Sequence, residues 1–356
     1  MAVSPSRPNT RDYGLLDRLL HRLALGSSIV AEASFDADQA VAWRGRQAVD
    51  LNRHVFIAGL ARAGTTFLMR RFHSTDQFRS LTYRDMPFVL APNIWGRISS
   101  ISRRTIQSVQ RAHNDAIAVD ADSPESLDEV FWRVFADHEY VSPQELRPHF
   151  PSEELVKKYV QYVSAILASQ AFRPNRYLSK NNNNILRLQA LRSAFPNALI
   201  LIPVREPLQH AYSLLKQHRH FSSIQTTNPF VLDYMNWLAH HEFGLGHRPF
   251  AFPQTQRSTN YPPNCLNYWL ERWCDTYTWL AQSKPHTSLF VFYEHLCGQS
   301  HWWIRLAKLA DIPVADSFIT PPTLVQHVIS DLFDPELAHF ASTIYARLIR
   351  SSHIDF

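Results

Sequence analysis

The sequence predicts an α/β protein of three layers, in which a central, mostly parallel sheet is flanked by helices. Three short apolar runs are typical of buried parallel strands: Val55 to Gly59, Ala198 to Val204 and Ser288 to Tyr293. A weaker strand, "RYLSK", ends at Lys180. Helical segments separate these runs, and a repeated β-α pattern indicates a parallel sheet.

The bulk composition favours one large globular domain. A chain of 356 residues can bury a large core, and its 45% apolar and 19% charged content is ordinary for a globular protein. The net charge of +5 is a mild excess spread along the chain, so a nucleic-acid partner is not indicated. We expect residues 1–50 to form a helical segment that packs on the core over an edge of the sheet, and residues 51–356 to form a single domain.

Cysteine spacing and hydropathy bear on the compartment. Cys265, Cys274 and Cys297 are odd in number and lack paired metal-ligand spacing, so neither a disulfide framework nor a zinc site is indicated. The N-terminus lacks the apolar region of a signal peptide, and no stretch approaches the roughly 18 apolar residues that span a bilayer. These features predict a cytoplasmic protein without a transmembrane segment.

The loop "GLARAGTT" directly follows the first strand and precedes a helix that begins near Thr65. Gly59 and Gly64 bracket the loop, and because the chain has nine glycines in all, this spacing indicates a backbone requirement. Successive N–H groups of such a turn point inward and the helix N-terminus adds positive potential, which predicts an anion site. Arg62 and the hydroxyls of Thr65 and Thr66 supply further donors.

A nucleotide-triphosphate loop carries lysine where this loop has Thr65. The difference argues against transfer of a γ-phosphate, as does the lack of a convincing apolar run ending in an aspartate for magnesium. We therefore expect an anion other than a triphosphate. A P-loop kinase or NTPase, and a non-catalytic protein that binds nucleotide or polyanion, stay open as alternatives.

Three stretches resemble sulfotransferases that use PAPS (3′-phosphoadenosine 5′-phosphosulfate). "GLARAGTTFL" is similar to their 5′-phosphosulfate-binding loop, with Ala61 where proline is common. Residues Tyr177 to Phe221 resemble the next block, with a lysine after a short strand, "FPNA", a strand, and then arginine, an acidic residue and proline. "SLFVFYEHLCGQSHWWIRLAKLADIP" resembles the late strand, turn and helix. The pattern is most similar to bacterial and tyrosylprotein sulfotransferases, which implies a P-loop-like fold.

The resemblance implies which residues bind the donor PAPS and its product PAP: Arg62, Ala63, Gly64, Thr65, Thr66, Arg205 and Ser213. The family's 3′-phosphate ligands fall on Arg205 and Ser213. The residues themselves agree with this assignment, because Arg205 follows a strand and precedes Pro207, which suits the first turn of a helix. Open α/β sheets bind ligands at such strand ends.

Lys180 is the candidate for the bridging oxygen of the leaving phosphate, and the family's catalytic lysine falls on it. The chain has six lysines against 30 arginines, and a compact ammonium suits a single oxygen better than a guanidinium fork does. Arg62 and the loop amides would hold the sulfuryl and 5′-phosphate oxygens. The "NNNN" after Lys180 departs from the proline-containing sequences common in the family.

The general base is predicted to be Asp85, the carboxylate that follows the loop at the distance where the tyrosylprotein enzymes carry a glutamate. Glu125 and Glu129 in "DADSPESLDEVFW" are alternatives, although Ser123 and Pro124 indicate a helix start there, with Asp122 and Glu125 as a capping pair. A histidine of the cluster between His218 and His247 is a further alternative.

We expect metal-free, in-line transfer of the sulfuryl group to a hydroxyl of a carbohydrate, such as a polysaccharide precursor, with a tyrosine or a small alcohol as the alternative. Residues 221–263 are rich in Pro, Asn, Thr, Gln and aromatics, and we expect this excursion to cover the acceptor. A homo-oligomer is compatible with the sequence.

Overall fold

The computed structural model describes residues 15–42, 48–101, 109–110, 118–119, 124–169, 174–253 and 261–355. Its α-helices are α1 (Leu15–Gly26), α2 (Ser28–Ala42), α3 (Thr65–His73), α4 (Pro92–Ile101), α5 (Glu129–Tyr140), α6 (Glu153–Ala168), α7 (Leu188–Ala194), α8 (Pro207–Thr227), α9 (Pro229–Trp237), α10 (Leu266–Ser283), α11 (Tyr293–Gly298), α12 (Ser300–Ala310), α13 (Asp316–Ile319) and α14 (Pro335–Asp355). Short 3₁₀ helices cover Tyr83–Asp85 and Asn182–Arg187. Among the helices so described, none is long and apolar enough to cross a membrane.

The strands are β1 (Val55–Ile57), β2 (Val109–Gln110), β3 (Ala118–Val119), β4 (Leu178–Lys180), β5 (Leu199–Val204) and β6 (Ser288–Phe292). The central sheet has the order β4-β1-β5-β6, and each neighbouring pair is parallel. The strands β2 and β3 form a separate antiparallel pair. The predicted fold class is therefore confirmed, and each of the four predicted strands lies in the sheet.

Side chains of the sheet alternate between two apolar cores. Phe56 of β1 lies in the larger core, which also takes buried residues from α5, α6, α8 and α10. Its neighbours Val55 and Ile57 lie in the smaller core with residues of α3 and α12. Because successive strand side chains point to opposite faces, the sheet is the middle of three layers.

The described part of the N-terminal segment packs on helices. On α2, the ring of Phe35 lies 5.1 Å from that of Phe135 and 6.1 Å from that of Tyr162. Asp38 accepts hydrogen bonds from the Ile94 amide and the Asn93 side chain, both at 2.8 Å, and so caps the start of α4. In the described part of this segment, α2 therefore packs against α4, α5 and α6, and α1 packs against α2 and α9. The sequence predicted that these helices cover an edge of the sheet.

The predicted excursion at 221–263 begins as regular helix. α8 continues to Thr227, and α9 begins two residues later at Pro229. Contacts with residues 243–245 hold this end of α8 in place. The rings of Phe221 and Phe243 stack at 6.3 Å, and the buried Gln225 accepts a hydrogen bond from the Leu245 amide at 2.6 Å. Residues 238–253 then run without regular helix or strand, and residues 254–260 lie outside the described part.

Candidate active site

Three cationic residues lie at the carboxyl ends of neighbouring strands. Arg62 belongs to the loop after β1, Lys180 ends β4, and Arg205 directly follows β5. In the central sheet, Ile57 of β1 pairs with Lys180 of β4 on one side and with Leu201 of β5 on the other. Since ligands of open parallel sheets bind outside these strand ends, the topology brings the three cations to a binding edge.

The loop after β1 requires glycine at Gly64 and is tightly packed at Gly59. Gly64 has φ 90°, and a Cβ there would lie 2.9 Å from Cδ2 of Tyr293. A Cβ on Gly59 would lie 3.2 Å from Cδ of Pro203 in the adjacent β5. α3 starts at Thr65 with no acidic residue in its first turn, so no carboxylate of this helix competes for the N–H groups there.

The two predicted phosphate-binding blocks meet at Arg62. Its Nε lies 3.3 Å from Oγ of Ser213 on α8, and its carbonyl oxygen lies 3.4 Å from Nη1 of Arg205. Arg62 has φ 69°, a left-handed conformation that is unfavourable for a residue with a side chain. The contacts with α8 and with Arg205 hold the loop in this conformation and bring both blocks within reach of one ligand.

The guanidinium of Arg205 also contacts a backbone carbonyl and an aromatic ring. Its Nη2 donates to the Val325 carbonyl at 2.8 Å, and its guanidinium lies 5.0 Å from the ring centre of Tyr293. Tyr293 directly follows β6 and also contacts the loop at Gly64, so one ring supports both blocks. This role was not predicted from the sequence, although a tyrosine directly after a buried strand, in "VFYEHL", is a local signal for it.

Lys180 is mostly buried and lies near Glu125. Its Nζ is 4.0 Å from Oε1 of Glu125, and both side chains are less than a tenth exposed. Glu125 also accepts hydrogen bonds from the Tyr83 hydroxyl at 2.9 Å and from the Ser126 amide at 2.9 Å. A carboxylate and an ammonium at a strand end are groups that can exchange a proton and stabilise developing charge.

The carboxylate of Asp85, the predicted general base, is hydrogen-bonded to neighbouring buried residues. One carboxylate oxygen accepts from Arg79 at 2.6 Å, and the other accepts from the amide of Thr82 at 2.8 Å and from its hydroxyl at 3.2 Å. These bonds form a capping box at the start of the 3₁₀ helix. Both oxygens are therefore committed to buried partners in this structure.

Glu129 is also held in a buried network. Its two oxygens accept from Nη1 of Arg187 at 2.7 Å and from Nη2 at 3.0 Å, and the pair is almost fully enclosed. Burial alone would raise the pKa of Glu129, but the charge and hydrogen bonds of Arg187 outweigh it and lower the pKa. Asn181 donates to the same carboxylate at 2.7 Å. Glu129 therefore anchors the residue after Lys180 and has no exposed face for an acceptor.

Asp128 anchors the other neighbour of Lys180. The Ser179 hydroxyl donates to it at 2.6 Å, and the Tyr159 hydroxyl at 3.0 Å. Burial raises the pKa of Asp128 despite these bonds. These roles of Ser179, Asn181 and Asp128 were not predicted from the sequence. Ser179 and Asn181 are two positions apart, so their side chains share the face of the strand opposite to Lys180, and two polar residues there are a local signal for buried hydrogen-bond partners.

The helix predicted to start at Ser123–Pro124 starts later. α5 begins at Glu129, because Pro124 bridges to Thr82 and the Glu125 amide donates to the Leu81 carbonyl at 3.1 Å, which holds this stretch outside the helix. Asp122 and Ser123, the other members of the proposed cap, lie outside the described residues. Because Pro124 and Glu125 pair with residues 81–82, the side chain of Glu125 lies 4.0 Å from Nζ of Lys180.

Several histidines of the predicted cluster hold the chain between α9 and α10 in place. His218 accepts from the Gly244 amide at 3.2 Å, and His247 lies 2.8 Å from the Tyr268 hydroxyl. Burial lowers the pKa of His241 and His247 to about 4, so both are neutral near pH 7. His240 lies closer to the candidate site, since its Nε2 is 3.1 Å from the carbonyl oxygen of Ser126.

The described ranges contain no group of three His, Cys, Asp or Glu side chains that could hold a metal ion. Together, the parallel sheet, the glycine-bracketed loop and the cations at its strand ends define a P-loop-like fold with a candidate anion-binding edge.

The model of the sulfotransferase family matches residues 54–248, which is more than half of the 356-residue chain. The chain therefore belongs to the sulfotransferase family and is a transferase. This match includes the loop after β1, Lys180, Arg205 and Ser213. The family in general takes PAPS as donor and a hydroxyl group as acceptor.

Solved structures of bacterial sulfotransferases are distantly similar to this chain. One from Mycobacterium avium is 15% identical, with 84% of this chain and 72% of that chain covered and a TM-score of 0.46. One from Mycobacterium tuberculosis H37Rv is 14% identical, with 87% and 80% covered and a TM-score of 0.45. One from Alicyclobacillus acidocaldarius is 13% identical, with 85% and 96% covered and a TM-score of 0.38. No curated protein matches the chain in sequence.

Proposed function

We propose that the protein moves the sulfuryl group of PAPS to a hydroxyl of an acceptor by metal-free, in-line transfer. The contact between Arg62 Nε and Ser213 Oγ, at 3.3 Å, carries this proposal. It joins the loop after β1 to the helix after β5, although the two residues are 151 positions apart in the chain. One adenosine donor with phosphate groups on both sides can therefore contact both blocks.

In this proposal the two blocks divide the donor between them. Arg62 and the amides from Ala63 to Thr66 hold the 5′-phosphate and the sulfuryl oxygens, with the hydroxyls of Thr65 and Thr66 as added donors. Arg205 and Ser213 hold the 3′-phosphate. Arg205 exchanges its contact with the Val325 carbonyl for the phosphate, which is the stronger acceptor for a guanidinium.

The chemical step breaks the S–O bond to the 5′-phosphate and forms an S–O bond to the acceptor oxygen. The acceptor's hydroxyl proton passes to a base, and negative charge develops on the bridging oxygen of PAP. Lys180 donates an N–H to that oxygen and so stabilises the transition state more than the ground state. Because lysine, arginine and backbone amides supply the positive potential, this mechanism does not require a metal ion.

We propose Glu125 as the general base, in place of Asp85. Glu125 lies 4.0 Å from the ammonium of Lys180, so a carboxylate oxygen is close to the expected position of the sulfuryl group. Both carboxylates accept hydrogen bonds on each oxygen, but those of Glu125 come from the neutral Tyr83 hydroxyl and Ser126 amide. Asp85 is instead paired with the buried cation Arg79, and that ion pair would have to be broken for Asp85 to act as the base.

Glu125→Gln is expected to lower kcat by about 10²- to 10⁴-fold, because the amide has nearly the same shape but accepts no proton. Asp85→Asn is the matched control, and we expect it to lower the melting temperature through its buried partner Arg79 while kcat of the folded enzyme changes little. Steady-state rates and thermal melts of both variants test this. The reverse ranking of the two kcat values would return the base to Asp85.

We further propose a carbohydrate acceptor, with tyrosine and small alcohols as alternatives. Residues 239–242 border the loop after Lys180, where Asn182 donates to Glu242 at 2.7 Å, and His240 contacts the backbone beside Glu125. Amide, carboxylate and imidazole groups are suited to hydrogen-bonding the several hydroxyls of a sugar. This polar border favours a polyhydroxylated acceptor over an apolar one.

A transfer assay with radiolabelled PAPS tests the proposal against three acceptor classes: oligosaccharides, tyrosine peptides and small alcohols. We expect label on the oligosaccharides, at the same rate with and without EDTA. Loss of transfer in EDTA would reject the metal-free mechanism, and transfer to tyrosine peptides alone would reject the carbohydrate assignment. Failure of PAPS and PAP to bind at micromolar concentrations would reject the donor.

A further inference from the structure

His210 lies beneath the loop after β1 and has no role in the mechanism above. It is fully buried on α8, between the two proposed 3′-phosphate ligands in the chain. Its Nε2 lies 2.7 Å from the carbonyl oxygen of Ala61. Because a carbonyl accepts but does not donate, Nε2 carries the hydrogen, and the imidazole joins α8 to the backbone of the loop.

The environment keeps this imidazole neutral. Burial lowers the pKa of His210 to about 3, and the nearby charges of Arg205 and Arg62 act in the same direction. Nδ1 is buried and has no hydrogen-bond partner within the described part of the chain. The bond to Ala61 is thus the polar contact that fixes the ring, and it does not switch on or off between pH 5 and 9.

The bond to Ala61 sets the direction of the next amide. In a planar trans peptide the C=O and the following N–H point in opposite directions. Since the Ala61 carbonyl points to α8, the N–H of Arg62 points away from α8. The Arg62 carbonyl faces Arg205 at 3.4 Å, so the N–H of Ala63 points away as well. Each of these two N–H groups is therefore turned away from the side chain that holds the preceding carbonyl, and neither is directed at α8 or at Arg205.

We propose that His210 is a positioning residue for the donor loop, an inference that rests on the function proposed above. Arg205 exchanges its contact with the Val325 carbonyl when it takes up a phosphate, whereas the fully buried His210 keeps its bond to Ala61. His210 therefore holds the peptide plane between Ala61 and Arg62, and with it the positive φ of Arg62, throughout the reaction cycle. It acts on donor affinity through the direction of the loop amides.

Three variants separate this role from simple packing. In His210→Gln the amide Nε2 can reach the Ala61 carbonyl, whereas the shorter side chain in His210→Asn cannot. His210→Phe keeps the ring volume but loses the donor. We expect the Asn and Phe variants to weaken PAP binding and raise KM for PAPS by about tenfold, with a smaller change in kcat, and the Gln variant to stay within about threefold of the wild type.

Hydrogen exchange of the amides at residues 60–66, without ligand, gives a second readout. We expect exchange there to become at least about tenfold faster in the Asn and Phe variants and to be restored in the Gln variant. His218→Phe, a buried histidine further along α8, is the control and is expected to leave this exchange unchanged. If the Phe variant does not fold, the Asn and Gln pair decides.

Unchanged exchange in the Asn variant, or a Gln variant as impaired as the Asn variant, would overturn the role of His210. Failure of the wild-type enzyme to bind PAP would instead reject the proposed donor, and the exchange measurement would still test His210. The two failures are therefore distinguishable.

Discussion

Lys180→Ala is expected to lower kcat by about 10²- to 10³-fold while the affinity for PAP stays within about threefold. The reason is that charge develops on the bridging oxygen only as the S–O bond breaks, so a donor aimed at this oxygen acts mainly in the transition state. The ammonium is more than nine-tenths buried at the end of β4, where an electrostatic contact is stronger than in water. Single-turnover rates and calorimetric titration with PAP measure the two quantities separately.

Two further variants complete this experiment. Lys180→Arg keeps the charge but changes its shape and reach, and we expect a rate between those of the wild type and the alanine variant. Lys308→Ala removes an exposed lysine of α12 and controls for the loss of a positive charge alone. A wild-type rate in Lys180→Ala would remove Lys180 from the mechanism, and an equal loss of PAP affinity and rate would make it a binding residue.

Arg187→Met is expected to destabilise the fold by about 3–5 kcal/mol, since it leaves the carboxylate of Glu129 buried without its partner. The pair lies in the core, with Arg187 also donating to His149 at 2.9 Å and Asn181 bonded to the same carboxylate. Denaturant unfolding of the variant measures the loss in free energy of unfolding. Because Asn181 follows Lys180, we also expect the folded fraction to have a lower kcat.

The double variant Glu129→Gln with Arg187→Met separates charge from packing. It removes both charges of this ion pair, so we expect it to recover much of the stability lost in the single variant. Arg192→Met on α7 is the control, because Arg192 lies at the surface and its loss should cost less than about 0.5 kcal/mol. An Arg187→Met variant within about 1 kcal/mol of the wild type would show that the ion pair does not hold this part of the core.

Local sequence pattern was sufficient for the sheet and for the strand ends at which the candidate site residues lie. Apolar runs at Val55, Ala198 and Ser288 defined strands, and parallel strands necessarily bring their carboxyl ends to one side. The proximity of Arg62, Lys180 and Arg205 follows from that topology. The glycines of the loop were also readable, since positive φ and close approach to a neighbouring strand favour residues without a Cβ.

Features that depend on contacts between distant segments were not readable. Pro124 and Glu125 pair with the backbone at residues 81–82, which delays the start of α5 and brings Glu125 beside Lys180. The contact of His210 with Ala61 joins residues 149 positions apart and has no local sequence signal. The extension of α8 to Thr227 likewise depends on packing against later residues, which overrides weak helix propensity.

The division of the donor between two blocks is the central claim, and calorimetric titration with PAP and adenosine 5′-phosphate tests it most directly. These ligands differ only by the 3′-phosphate. We expect the wild-type enzyme to prefer PAP by at least about tenfold and Arg205→Ala to abolish this preference. We expect Arg62→Ala to weaken the binding of both ligands while the preference remains. Equal weakening of both ligands in Arg205→Ala, or no preference in the wild type, would contradict it.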